Sequence, residues 1–181
     1  MILPIVVYGS PVLRSENAEI DANHPDTKKL IADMFATMYA AEGVGLAAPQ
    51  VGRNVRLFVV DVTPWADEEP ELADFRRAFI NPVIHWSSDE ESLYNEGCLS
   101  LPNLHEDVSR PVTIRMRYLD ENFEPHDEEF TGRPARVIQH EYDHLEGKVF
   151  TDLLSPLRRT LIKSKLAGFS KGKYKAAYRT K

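Results

Sequence analysis

The segment VIQHEYDHLEG, residues 137–147, carries the strongest signal for how the chain folds and what it does. It places His140 and His144 four residues apart, and Glu141 directly follows the first histidine. Positions i and i+4 of a helix lie on one face, so both imidazoles can bind a single metal ion and Glu141 can reach a water on that ion. The segment therefore predicts a metal site on a helix. The alternative is a core helix whose two histidines are only hydrogen-bonded.

The residues around this segment support a helix, and the preceding sequence predicts strands. Pro134 suits the first helical turn, and Gly147 suits a C-terminal cap. An earlier helix is predicted over residues 24–43, where an apolar stripe ends at Gly43. Hydrophobic patterning and β-branched residues predict four strands, at residues 55–62, 78–84, 112–120 and 123–130.

The order of these elements indicates the fold class. The strands are mostly neighbours in the sequence, and the metal-binding helix follows them, which favours an α+β fold over an alternating parallel one. We expect antiparallel β-sheets packed around a central metal-binding helix, with an N-terminal and a C-terminal helix. A chain of 181 residues suits a single domain.

Composition also limits where the protein works. The single cysteine, Cys98, excludes an internal disulfide framework and fits a reducing cytosol. The sequence shows no basic leader before it turns polar and no run of 18 apolar residues, so we expect a cytoplasmic protein without membrane contact.

Charge is distributed unevenly along the chain. Residues 153–181 contain nine Lys or Arg and no acid, whereas the other residues hold 13 cations and 28 acids, a charge of −15. We therefore expect residues 1–157 to form a single metallohydrolase domain and residues 158–181 to form a basic C-terminal helix and tail, with Ser155 as the helix cap. Such a tail indicates an anionic partner, or else a solvated terminus.

A catalytic site of this kind needs a third protein ligand and an open position for water. Beyond Asp152 the chain contains no Asp, Glu, His or Cys, so the third ligand must come from upstream. The upstream candidates are Cys98, four further histidines and many carboxylates. Cys98 is favoured because it lies in NEGCLSLP, where Gly97 allows close backbone approach and Pro102 indicates irregular chain. The alternative is an inert buried cysteine.

Three segments together resemble the signature motifs of the peptide deformylase family. They are GVGLAAPQ (43–50), EGCLS (96–100) and QHEYDHLEG (139–147), in the family's order and spacing. Members of that family hydrolyse the N-formyl group from the N-terminal formylmethionine of newly synthesised polypeptides and release formate. The resemblance covers residues 1 to about 157.

The resemblance implies a ligand set and a metal. Cys98, His140 and His144 would hold one divalent ion, with a water as the fourth ligand. By their chemistry alone, two imidazoles and a thiolate suit zinc as well as iron. The family instead implies Fe2+ in the cell, with Zn2+, Ni2+ or Co2+ able to replace it in purified protein.

The resemblance also implies the catalytic and binding groups. Glu141 would take a proton from the attacking water, and the Gln50 amide and the Leu99 N–H would donate to the oxyanion. The backbone of Gly45 would pair with the extended substrate. An apolar slot for methionine would be lined by Val44, Val137 and the ring face of His140, although core packing of both valines is an equal alternative.

Several other residues are expected to support this site. Gln139, Ser100 and Arg110 are expected to orient the loop around Cys98 and to temper the charge of its thiolate, and Asp143 is expected to form a structural ion pair. His105 lies where some relatives are expected to have arginine, so the peptide after methionine can be recognised differently here.

The expected partners are nascent N-formylmethionyl polypeptides and, through the basic tail, ribosomal RNA, with no DNA contact. Two other functions remain open on the sequence alone. One is a zinc endopeptidase that uses the same helix, and the other is an inactive ribosome- or RNA-binding protein on this scaffold.

Overall fold

Three α-helices and seven β-strands make up most of the computed structural model, which describes residues 1–181. The helices are α1 (Thr27–Ala40), α2 (Gly132–Leu145) and α3 (Pro156–Ser170). The strands are β1 (Gly45–Ala47), β2 (Leu57–Asp61), β3 (Arg76–Ser87), β4 (Glu91–Cys98), β5 (Leu101–Pro111), β6 (Thr113–Leu119) and β7 (Pro125–Thr131). The predicted α+β class, with antiparallel sheets, is confirmed.

The strands form a five-stranded sheet in the order β1-β2-β3-β6-β7 and a separate two-stranded hairpin of β4 and β5. All pairings between these strands are antiparallel. Strand β2 is buried at every position because helices cover both faces of the sheet. Phe58 and Val60 pack on the side of α2, whereas Leu57 and Val59 pack on the side of α1. Helix α2 is thereby held centrally, as predicted.

The four predicted strands correspond to β2, β3, β6 and β7, and the predicted helices to α1, α2 and α3. Helix α1 begins only at Thr27 and ends at Ala40, so it is shorter at both ends than the predicted range of residues 24–43. Gly147 follows α2 with a left-handed φ of +69°, as its capping role requires.

The hairpin of β4 and β5 was not predicted. Pro102 was expected to mark irregular chain, but it lies within β5. The register shifts between the pairs Cys98–Leu101 and Gly97–His105, so the proline lies in an irregular part of the hairpin. Proline is tolerated there because a bulge leaves its position without a ladder hydrogen bond.

Helix α3 begins as predicted, with Arg158 N–H donating to the side-chain oxygen of Ser155 at 3.2 Å. Only part of its apolar face packs against the body. Ile162 is buried against the body, whereas Leu157 and Leu161 are 72% and 65% exposed. No helix in the structure combines the length and the apolar character needed to cross a membrane.

Candidate metal centre and groove

The structure brings the three predicted metal ligands together. His140 and His144 lie one helical turn apart on α2, and Cys98 is the last residue of β4. One donor atom from each of the three residues lies within 4.8 Å of the other two. The Cys98 Sγ and the His144 Nε2 are 3.4 Å apart. Three donors at this spacing can share a single ion.

The chemistry of the cluster fits a divalent transition metal. Burial and the nearby positive charges of His140 and Arg110 lower the pKa of His144, so its imidazole is neutral, the form that binds metals. Burial opposes charge on His140, but hydrogen bonds to Cys98 and Glu96 raise its pKa. Thiolate and imidazole donors suit zinc and iron alike.

A buried carboxylate that the sequence reasoning overlooked orients one of these ligands. Glu96 accepts a hydrogen bond from His140 Nδ1 at 2.9 Å, which leaves Nε2 free for a metal. Arg110 donates to both oxygens of Glu96, at 2.7 and 3.0 Å, and Arg136 donates to Oε2 at 2.8 Å. Although burial opposes ionisation, the hydrogen bonds from His140 and Arg110 hold the pKa of Glu96 far below its usual range. In the sequence, only the position of Glu96 at the start of EGCLS could have indicated this role.

The supporting residues occupy different positions around this network. The expected structural ion pair of Asp143 is confirmed, since Arg110 Nη1 lies 2.7 Å from its Oδ2. Arg110 therefore links Asp143 to Glu96. Gln139 instead donates to the Pro111 carbonyl at 2.9 Å, so it fastens α2 to the end of β5 and does not contact a ligand.

Glu141 lies buried beside the ligands, and its Oε2 has no hydrogen-bond partner. Burial raises its pKa to about 7, a range suited to proton transfer near neutral pH. Gly45 packs against it so closely that a Cβ there would lie 2.5 Å from Glu141 Oε1 and 2.9 Å from Val137 Cγ1. Only glycine fits at this position without displacing the carboxylate.

Gln50 presents its amide nitrogen to the same site. The side chain is 1% exposed, and its Oε1 accepts a hydrogen bond from Ala47 N–H at 2.9 Å. Its Nε2 donates to Ser100 Oγ at 3.1 Å and lies 3.4 Å from Cys98 Sγ. These contacts fix the orientation of the amide. Leu99 follows Cys98 in the turn between β4 and β5.

A groove of about 550 Å³ opens onto these residues. Val44 and Val137 line it, and both also pack in or against the core cluster on the α2 side of the sheet. His105 also lines the groove, directly across the hairpin from Gly97. Residues 176–178 of the tail form a further part of the wall, which the sequence reasoning did not anticipate.

One edge of the main sheet runs along the groove. Strand β1 is the outermost strand and pairs only with β2. Asp61 N–H donates to the Val44 carbonyl at 2.9 Å, so the backbone C=O of Val44 points toward β2. Because backbone groups alternate in direction along an antiparallel pair, the N–H and C=O of Gly45 face the free edge. An extended peptide can pair there.

Comparison with known proteins gives one consistent result. The family described as polypeptide deformylase matches residues 2–160. A peptide deformylase of Christiangramia forsetii is 52% identical over 186 residues, covering 99% of this chain and 95% of the relative. A peptide deformylase of Cytophaga hutchinsonii is 50% identical over 181 residues, covering 100% of this chain and 97% of the relative.

Solved structures agree with these relatives. The crystal structure of peptide deformylase from Thermus thermophilus matches with a TM-score of 0.83 at 39% identity, covering 95% of this chain and 99% of that one. A peptide deformylase structure from Legionella pneumophila matches with a TM-score of 0.82 at 36% identity, covering 96% and 98%.

Proposed function

The chain belongs to the polypeptide deformylase family, and from this premise we propose how its own residues carry out the family's reaction. It is a metal-dependent enzyme that removes the N-formyl group from nascent polypeptides. The observation that carries the proposal is the convergence of Cys98, His140 and His144 beside the buried Glu141, next to a groove that Cys98, His140 and Glu141 line.

Cys98, His140 and His144 hold one divalent ion in this proposal. When bound, such an ion acts as a Lewis acid that makes a water nucleophilic at neutral pH and stabilises a developing oxyanion. We propose Fe2+ as the ion used in the cell, on the strength of the family, with Zn2+, Ni2+ or Co2+ able to occupy the site in purified protein. Metal content measured after anaerobic purification tests the identity of the ion. Stoichiometric zinc and no iron in such protein would contradict it.

Glu141 moves the proton. Its carboxylate accepts a proton from the water that attacks the formyl carbon and then delivers this proton to the leaving amine. Two features support this role. The carboxylate is buried in the groove without a hydrogen-bond partner on Oε2, and burial brings its pKa close to neutral.

Gln50 and Leu99 stabilise the oxyanion. The Gln50 amide is fixed by Ala47 and Ser100, so its N–H groups are oriented before substrate binds. The Leu99 N–H comes from the turn that directly follows the ligand Cys98. A preorganised donor of this kind stabilises a transition state by about 3–4 kcal/mol.

The substrate binds as an added strand at the free edge of β1. The N–H and C=O of Gly45 pair with its backbone, and the methionine side chain enters an apolar slot beside Val44 and Val137. His105, on the groove wall, contacts the residues that follow methionine.

A formate-release assay separates this function from the alternatives. The purified enzyme should release formate from formyl-Met-Ala-Ser and leave an unformylated peptide of the same sequence intact. Cleavage of internal peptide bonds would instead identify an endopeptidase. Absence of both activities in metal-loaded protein would favour an inactive binding protein.

We further propose that the enzyme acts in the cytoplasm and that its basic C-terminal region contacts ribosomal RNA. Arg159, Lys163 and Lys171 are exposed on or just after α3, whereas Arg158 is engaged by Glu106. The rest of the chain is negatively charged, and the ribosome is a polyanion. Their repulsion, together with attraction to the basic C-terminal region, would turn that region toward the ribosome. Holding the enzyme at the ribosome would raise the local concentration of nascent substrate.

Charge reversal tests the ribosome contact without removing the tail. A variant carrying Arg159→Glu, Lys163→Glu and Lys171→Glu should co-sediment less with ribosomes and should show a flatter dependence of binding on salt. The matched control is a variant carrying Lys28→Glu, Arg53→Glu and Arg115→Glu, three exposed cations elsewhere on the body. If both variants lost ribosome co-sedimentation equally, the loss would follow from the change in net charge, and this result would contradict a specific contact.

A further inference from the structure

Residues 171–181 fold back against the body after α3. Gly172 has a left-handed φ of +69°, and Lys173 N–H donates to the Gly168 carbonyl at 2.8 Å, which ends the helix and reverses the chain. The side-chain amide of Asn103, from β5, then donates to the Lys175 carbonyl at 2.9 Å. The tail is thereby directed toward the hairpin and the groove.

The end of the tail is held by an extended segment near the N-terminus, residues 5–8. Ile5 N–H donates to the Arg179 carbonyl at 2.9 Å, and Lys181 N–H donates to the Ile5 carbonyl at 2.9 Å. These bonds make a short parallel pairing in which Ile5 is the partner of Thr180. Backbone hydrogen bonds of this kind fix the position of the tail relative to the body.

The same extended segment is tied on its other side to two loops of the active site. Val6 N–H donates to the Gln50 carbonyl at 2.7 Å, and Tyr8 N–H donates to the Ser100 carbonyl at 2.8 Å. Residues 5–8 therefore lie between the tail and the chain that carries the two proposed oxyanion donors. The tail and these loops have a common support.

Tyr178 makes a direct contact from the tail to one of these loops. Its hydroxyl donates to the Leu99 carbonyl at 2.7 Å, although the two residues are separated by 79 positions in the sequence. Burial of the ring raises the pKa of Tyr178 to about 12, so the hydroxyl keeps its proton and can act as the donor. Leu99 and Ser100 form the two-residue turn between β4 and β5, in which the Leu99 carbonyl accepts from Tyr178 and the Ser100 carbonyl accepts from Tyr8.

We propose that Tyr178 is a positioning residue for deformylation, which holds the Leu99 turn so that the Leu99 N–H points at the oxyanion. The proposal rests on the function given above to Leu99. Without the bond from Tyr178 the Leu99 carbonyl has no such donor, and the Leu99 N–H would then point correctly only part of the time. Displacements of about 1 Å in such groups can lower rates by up to about 100-fold. The C-terminal segment is on this view a part of the active site.

The test is Tyr178→Phe, which removes the hydroxyl and keeps the ring on the groove wall. We expect kcat for formyl-Met-Ala-Ser to fall about 5- to 20-fold and KM to change less than about twofold, because the lost alignment matters only in the transition state. Formate release by the wild type is measured in the same assay. If the wild type released no formate, the proposed function itself would be refuted. If the wild type is active, a lower kcat in Tyr178→Phe concerns the role of Tyr178 alone.

Tyr174→Phe is the matched control. Tyr174 lies in the same segment, and its hydroxyl bonds to Thr180 Oγ1 at 3.0 Å without contacting Leu99. This variant should keep kcat and KM within about twofold of the wild type. Limited trypsin cleavage after Lys175 and Arg179 reports whether the tail stays docked, and we expect the same cleavage rate in both variants and the wild type.

Three outcomes would overturn the proposal. The first is a kcat for Tyr178→Phe equal to that of Tyr174→Phe. The second is an effect of Tyr178→Phe on KM alone, since that would make Tyr178 only a part of the groove wall. The third is a fall in kcat accompanied by faster tryptic cleavage, since the effect would then belong to docking of the whole segment and not to the hydroxyl on Leu99.

Discussion

Two buried glutamates, Glu96 and Glu106, face each other in register across the β4–β5 hairpin, and they bind very different neighbours. Each is 5% exposed. Glu96 is enclosed by His140 of α2 and by two arginines whose side chains are 4% and 7% exposed. Glu106 binds Arg158 of α3, whose side chain is 50% exposed.

The difference shows how one hairpin serves two purposes. On the Glu96 side, charges are fully enclosed, so removing one leaves the others buried without compensation. Strand β4, which carries Glu96, also carries Cys98, and Glu96 orients His140. The free-energy cost of burying these charges therefore falls beside the proposed metal ligands. On the Glu106 side, water screens the pair, and the contact mainly attaches α3. Variants on the Glu96 side should therefore have much larger effects than variants on the Glu106 side.

The largest effect is expected for Cys98→Ala, at the end of β4. Removing the thiolate leaves two imidazoles, too few to hold the ion firmly. We expect metal content to fall far below stoichiometric and formate release to disappear. Inductively coupled plasma analysis of the purified protein gives the metal content, and His85→Ala and His126→Ala serve as controls that should keep it. Full metal occupancy in Cys98→Ala would show that the thiolate is not a ligand.

Glu141→Gln should lower kcat roughly 10²- to 10⁴-fold, because only the group that transfers the proton is removed. Metal content should stay that of the wild type, since the three donors are unchanged. The two quantities are measured on one preparation. Loss of metal together with activity would make Glu141 a ligand and would contradict the role proposed for it.

Glu96→Gln should affect metal affinity and stability together. Buried Arg136 loses its carboxylate partner and buried Arg110 keeps only Asp143, which should lower the free energy of unfolding by about 3–5 kcal/mol. The loss of the Nδ1 contact on His140 should weaken metal binding about 10- to 100-fold. Urea unfolding of metal-free protein and metal titration measure the two effects. Glu106→Gln is the matched control, and an equal loss in that variant would break the comparison between the two sides.

Sequence reasoning found what depends on short-range pattern. The spacing of His140 and His144, the cap residues of α2 and the alternation in the strands each follow from neighbours within a few positions. Cys98 was also accessible as the candidate third donor, because the chain contains one cysteine, no Asp, Glu, His or Cys beyond Asp152, and a segment EGCLS that resembles a family motif. These signals were enough for the fold class and for the residues that meet in the cluster.

The rest depends on contacts between distant residues, which a single sequence does not reveal. Glu96 binds His140 across 44 positions, and Tyr178 binds Leu99 across 79. The basic tail has the composition of a solvated terminus, yet its backbone pairs with the segment near Ile5. Pro102 suggested irregular chain, but it lies in a strand. The register shift that accommodates it depends on pairing between β4 and β5, which the proline alone does not reveal.

The smallest effect is expected for Arg158→Ala, on the outer side of the hairpin. Arg158 donates to both oxygens of Glu106, at 2.6 and 2.8 Å, but half of its side chain is in contact with water. Solvent and salt screen such a pair, and Ile162 and Phe169 still hold α3 by their burial. We expect the thermal midpoint to fall by about 2 °C or less, with kcat unchanged. The measurement is a thermal melt at 50 and 500 mM salt, where the small difference from the wild type should shrink at the higher concentration. A loss as large as that of Glu96→Gln, or one that does not respond to salt, would mean that the Glu106 side is as enclosed energetically as the side that orients His140.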